Sequence, residues 1–143
     1  MRGWPFVIGL TLSTTGCDGE PTANVPIVYS TLGTWAGTTS DCVWVEVRIA
    51  AEDTDSDQRH ATGFVRMAAR GGDTLGAAVR GTNEPDAVLL NFGTRPEVVL
   101  GLFTGRFSDE ASLEGIILGP ESFGDPPAGP FPATGVDITL NRQ

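Results

Sequence analysis

Residues 43–49 read Val-Trp-Val-Glu-Val-Arg-Ile, with Val43, Val45, Val47 and Ile49 alternating against Trp44, Glu46 and Arg48. Successive side chains of a β-strand point to opposite faces, so this period of two predicts a strand with one face in a core and the other in water. The pattern returns near the end of the chain, where Val136, Ile138 and Leu140 alternate with Asp137, Thr139 and Asn141. Between these stretches lie further runs of strand length at 63–69, 75–81, 87–92, 98–107 and 112–118. Turn-forming residues separate them: Asp53 to Gln58, Gly71-Gly72-Asp73, Asn83 to Asp86, Gly93 to Pro96, and Ser108-Asp109-Glu110.

With a first strand beginning near Leu32, the count is about eight strands, at the short spacing of sandwiches and barrels. The connections are short, so consecutive strands are expected to be antiparallel neighbours. Beyond the first dozen residues no apolar spacing of three and four recurs, which predicts almost no helix outside the leader. A meander leaves two unpaired edges, and closing the sheet on itself removes both. The expected fold class is therefore all-β: a single antiparallel meander forming a closed or nearly closed barrel. Gly76, Gly101, Gly105 and Gly115 fall inside strand runs, as sharp bends at barrel corners require. An interior of eight strands holds either packed side chains or one small ligand.

The chain has 143 residues, enough for one domain, and its 19 glycines and 10 prolines agree with many turns. Every basic residue is arginine, and the formal net charge is -9. Such a chain repels phosphate backbones, which argues against nucleic acid as a partner.

The N-terminus has the order of a secretory signal. Met1-Arg2 gives a positive start, Trp4 to Leu12 a brief apolar core, and Ser13 to Gly16 small residues before Cys17. The apolar run is too short to span a bilayer. Thr14-Thr15-Gly16-Cys17 resembles a bacterial lipobox. Thr15 and Gly16 match that pattern, whereas Thr14 stands where the family prefers Leu, Val or Ile. The resemblance implies lipid attachment at the Cys17 thiol, removal of residues 1–16 as signal peptide, and palmitate-labelled anchorage of an exported cell-envelope lipoprotein. Residues 17–31, polar and proline-bearing, then read as lipidated N-terminus and flexible tether, and 32–143 as the barrel domain. The alternative is a secreted or periplasmic soluble protein, in which a Cys17–Cys42 disulfide becomes available. If Cys17 is acylated, Cys42 stays alone, and its neighbours Val43 to Val45 suggest a small buried residue.

Gly33-Thr34-Trp35 at the start of the barrel and Leu140-Asn141-Arg142 at its end resemble the calycin superfamily of lipocalins, fatty-acid-binding proteins and avidins. The resemblance implies that Trp35 plugs one end of the barrel and Arg142 lies across its ring, a structural pair that closes the barrel. A guanidinium over an indole gains cation–π energy where first and last strands meet. The chain is shorter than a lipocalin, lacks the helix before the last strand, and does not carry the biotin-contacting aromatics of avidin. No ligand-binding residue carries over.

Other constellations are weaker. Glu52-Asp53-Thr54-Asp55-Ser56-Asp57 resembles the start of a calcium loop, but a loop begun at Asp53 requires glycine at 58 and glutamate at 64, where this chain has Gln58 and Phe64. No metal site is expected there. His60 is the single histidine, next to that loop at a strand mouth, and nothing resembles a nucleophile elbow or a metal-spaced pair. No catalytic residue, cofactor or enzymatic activity is expected. The proline-rich stretch 119–135 holds Phe123 and Phe131. It reads either as a lid or polyproline-like surface offering two aromatics, or as a loop whose phenylalanines tuck back on the barrel. The leading expectation is a lipid-anchored binding module for a small apolar ligand or a protein partner. A solid barrel acting by its surface, and a barrel-type protease inhibitor, are the alternatives. The interior decides between carrier and solid barrel: large apolar residues filling the lumen leave no room for a ligand.

Overall fold

The computed structural model describes residues 29–53, 58–69, 71–95 and 98–143. The leader and Cys17 lie outside the described residues. The chain forms β1 (Gly33–Thr38), β2 (Trp44–Glu52), β3 (Arg59–Ala68), β4 (Thr74–Asn83), β5 (Val88–Arg95), β6 (Val98–Asp109), β7 (Ser112–Leu118) and β8 (Val136–Arg142). Each strand pairs with the next, and β8 returns to β1, giving a closed eight-stranded barrel in sequence order. The closing pair is antiparallel, with Trp35 opposite Arg142 and Ala36 opposite Asn141. The helical content of the described residues is one 3-10 turn, Pro120–Phe123.

The alternation read from the sequence is the alternation of burial. Val45, Val47, Val65, Met67, Val79, Leu90, Phe92, Phe103, Ile117 and Leu140, drawn from seven of the strands, are each 0–1 % exposed, and Trp35 of β1 is 1 % exposed. Every strand thus sends bulky apolar side chains into one shared interior, which they fill. At about 1.5–3 kcal/mol for each fully buried side chain of this size, they form the main favourable contribution to the fold.

Inward-facing glycines allow the barrel to pinch around this core. Gly105 of β6 lies opposite Gly115 of β7. A Cβ on Gly115 would fall 2.7 Å from the Gly105 Cα, so the two backbones pass closer than any side chain permits.

The barrel has two differently built ends. Residues 29–33, the end of β2, the start of β3, the 83–88 and 109–112 connections and the C-terminus of β8 share the first. At the second lie the 38–44 turn, the end of β3, the start of β4 and the long 118–136 connection. Phe131 from that connection, 6 % exposed, plugs the second end. Its ring stands 6.4 Å from that of Phe92. A Cβ on Gly101 would lie 2.8 Å from Phe131 Cδ2. The Gly119 amide donates to the Pro132 carbonyl at 2.9 Å and fixes the base of the loop. Phe123, on the 3-10 turn, remains 43 % exposed. One of the two loop aromatics therefore tucks back and the other faces solvent.

One further detail departs from the sequence expectation. β3 begins at Arg59 rather than Gly63, which places His60 within the strand opposite Thr82, its side chain exposed. The polar composition of 59–62 hides this extension, because the one buried side chain among these residues is the small Ala61.

The packing makes a prediction for the two loop phenylalanines. Phe131→Ala should cost about 3 kcal/mol by loss of buried surface and creation of a cavity, whereas Phe123→Ala should change stability by less than about 0.5 kcal/mol. Urea unfolding followed by fluorescence measures both.

Candidate functional site

The densest arrangement of polar groups lies at the first end of the barrel, where Tyr29 to Leu32 cross toward β1. Arg142, the last residue of β8, stacks its guanidinium Cζ 4.2 Å from the centre of the Trp35 ring. Its donors reach backbone carbonyls on two separate segments. Nη1 donates to Leu32 O at 2.5 Å and Nη2 to Ser30 O at 2.8 Å. Nε and Nη2 also donate to Glu110 O, at 3.2 and 3.1 Å, in the β6–β7 turn. The Trp35 indole Nε1 donates to Thr31 O at 2.8 Å. Phe107 meets Trp35 edge-on at 5.8 Å and Tyr29 at 5.4 Å.

A second cluster holds the same segment from the other side. Glu52, at the end of β2, accepts hydrogen bonds from Ser30 Oγ (2.8 Å), Thr31 Oγ1 (2.8 Å), the Thr31 amide (3.1 Å) and Asn83 Nδ2 (2.8 Å). Asn83 Nδ2 also donates to Tyr29 O at 2.6 Å, while Asn83 Oδ1 is buried without a hydrogen-bond partner. Arg59 Nη1 stands 3.7 Å from Glu52 Oε1, and the Glu52 side chain is 1 % exposed. Burial pushes the Glu52 pKa up, but the hydrogen bonds from Asn83, Thr31 and Ser30 together outweigh it and hold the carboxyl below its ordinary value. With four donors on its oxygens, this carboxylate is fitted to hold a strap rather than to take a proton from a substrate. Residues 29–31, expected in the flexible tether, are therefore fixed to the barrel, and Thr31 is fully buried. Composition could not reveal this, since the partners of Ser30 and Thr31 lie 21 and more residues away.

The expected buried position of Cys42 is corrected. Cys42 is exposed and adopts φ 71°, in the left-handed region, within the turn before β2. The Thr39 amide donates to Val43 O at 2.8 Å, and the Val43 amide donates to Thr39 Oγ1 at 2.8 Å. Thr39-Ser40-Asp41 is the turn signal that places Cys42 outside the strand. Cys17, and with it any Cys17–Cys42 bridge, lies outside the described residues, as do positions 54–57 of the acidic loop.

Among the described residues, one recess opens on the outside of the barrel and another at its first end. One is a shallow groove of about 750 Å³ over β7, β8 and β1, bordered by Thr38, Arg106, Glu114, Asp137 and Thr139. The other, about 290 Å³, lies beside Tyr29, Pro85 and Phe107 at the first end. Among the described residues no group of three or more His, Cys, Asp or Glu side chains could hold a metal ion. The chain matches no protein-family model, no curated protein and no solved structure.

The Glu52 cluster sets an acid limit on stability. A carboxyl whose folded pKa lies below its unfolded value of 4.5 contributes stability that is present above that value and lost as pH falls through the folded pKa. Wild-type unfolding free energy should therefore drop steeply below about pH 4.5, and Glu52→Gln should flatten that drop. At pH 7 the variant should be less stable by about 1–3 kcal/mol, because four donors lose an ionised acceptor. Urea midpoints measured from pH 3 to pH 7 test both statements.

Proposed function

We propose that this chain is a bacterial envelope lipoprotein, anchored through a lipid on Cys17, whose calycin-like barrel acts as a protein-interaction module through its outer surface. The observation that carries the reading is the filled interior: inward side chains such as Phe92, Phe103, Met67 and Leu140 are 0 to 1 % exposed. A carrier of an apolar ligand needs an apolar cavity of several hundred Å³, and the space inside the strands is occupied by the protein's own core. The Trp35 and Arg142 pair supports the calycin-like part of the reading, because the indole, the guanidinium and the carbonyls of 30–32 meet where β1 and β8 close.

The anchor and the surface role fit one orientation. The first described residues, at Tyr29 to Leu32, lie at the same end of the barrel as Arg142. A tether from Cys17 would hold that end toward the membrane and leave the strand faces and the Phe123 loop free for a partner.

Two experiments test the proposal. Radiolabelled palmitate should follow the wild-type protein and not Cys17→Ser, and the variant should leave the membrane fraction. Palmitate-independent membrane association, unchanged in Cys17→Ser, would retire the anchor. Native mass spectrometry of protein from its own host should give the mass of the acylated chain alone. A stoichiometric apolar small molecule surviving desalting would restore the carrier reading and sink the surface one.

A further inference from the structure

The outer face of β2–β4 differs in charge from the rest of the chain. Three of its exposed residues are Arg48, Arg66 and Arg80, and they surround Phe64. Arg48 lies directly opposite Phe64 on β2. Arg66 is two residues along β3 from Phe64. Arg80, opposite Thr62 on β4, is its diagonal neighbour. Cross-strand neighbours on one face stand about 5 Å apart and diagonal ones about 7–8 Å, so the three guanidinium stems ring the phenylalanine. Phe64 is 50 % exposed, the highest value among the large apolar side chains of the described residues. The tip of its ring lies over Gly76, where a Cβ would sit 2.8 Å from Phe64 Cζ. The ring is thus supported against β4 rather than free in solvent.

Among the described residues Glu46 is the one carboxylate pointing outward from these strands. It pairs with Arg66 at 2.6 Å, and Arg66 also stands 5.6 Å from the Trp44 ring. Among the described residues, Arg48 and Arg80 form no ion pair. The chain carries 18 acidic against 9 basic residues, yet no described carboxylate reaches these two guanidinium groups. A face with three cations and one anion stands out on a chain of net charge -9.

We propose that this face is a docking surface for an acidic segment of a partner protein carrying an apolar or aromatic side chain between its carboxylates. Arg48 and Arg80 supply planar, two-pronged donors that match carboxylates. Phe64 supplies the apolar anchor between them, and arginine and aromatic residues are those that dominate binding energy at interfaces. The sheet is closed, so recognition by added strand pairing is not available here, and side chains must carry it. The size of the patch favours a narrow partner. From β2 to β4 and from residue 62 to 66 it measures about 10 by 13 Å. Charges more than about 8 Å away are screened at physiological salt. A slender acidic segment therefore meets the arginines without meeting the acidic turns beyond them. A broad anionic membrane would press against those turns and be repelled.

This surface deepens the interaction role proposed above, and its test is independent of the filled interior and of the Cys17 anchor. A fluorescein-labelled peptide of aspartates and glutamates around a central phenylalanine is titrated with the full chain by anisotropy. Saturable binding is expected, weakening about tenfold or more in Arg48→Ser/Arg80→Ser and in Phe64→Ser. It should be unchanged in Arg106→Ser, on β6 outside the patch. All four substitutions are at surface positions, and thermal melts confirm that each variant is folded. A peptide with lysine in place of each acid should not bind. Equal binding by wild type and the double arginine variant would overturn the proposal. So would the capture of phosphatidylglycerol vesicles through Arg48 and Arg80 with no peptide binding.

Discussion

The guanidinium of Arg142 ties together three parts of the chain far apart in sequence. It stacks on Trp35 of β1, donates to the carbonyls of Ser30 and Leu32 before that strand, and donates to Glu110 between β6 and β7. Around it the last strand meets the first, with only two residue pairs in register, Trp35 with Arg142 and Ala36 with Asn141. That seam is the shortest in the barrel, yet closure depends on it. An open seam would expose two strand edges with unpaired amides and carbonyls, a template for pairing with other chains. An arginine suits this position because its donors diverge in a plane, whereas a lysine presents one compact charge.

Closure and core explain one another. A sheet closed at eight strands holds either packed side chains or one small ligand, and here the inward positions supply Val, Leu, Phe and Met in alternation with outward polar residues. Where bulk would be excessive, glycines stand instead, as at Gly105 and Gly115 where two strand backbones nearly touch. Trp35 with the 29–32 strap closes one end, and Phe131 on the proline-rich loop closes the other. Between these two plugs the interior is filled by the protein's own side chains, and the polar residues lie on the outer faces.

Much of this was legible in the sequence because burial in a β-barrel has a period of two, and that period is local. The strand from Trp44 to Glu52 and that from Val136 to Arg142 follow directly from their alternation. The closing pair of Trp35 and Arg142 was nameable from a family resemblance. The Glu52 cluster was not, because its members at 30, 31, 52, 59 and 83 come together only after the sheet closes. The exposure of Cys42 is not legible in the sequence, because it borders an apolar strand while its conformation is set by the polar turn before it. The arginine face was equally hidden, since Arg48, Arg66 and Arg80 become neighbours only through the register of β2, β3 and β4.

The central claim is that the barrel is one closed, cooperative unit sealed at the β1–β8 seam. Native-state hydrogen exchange under increasing denaturant tests it most directly, because it reports the opening energy of each segment separately. The account predicts that the amides of Trp35, Ala36 and residues 138–140 exchange only with global unfolding, on the same isotherm as the central strands β3 and β4. Exchange of β1 and β8 through a separate opening of much lower energy, while β3 and β4 stay protected, would contradict it.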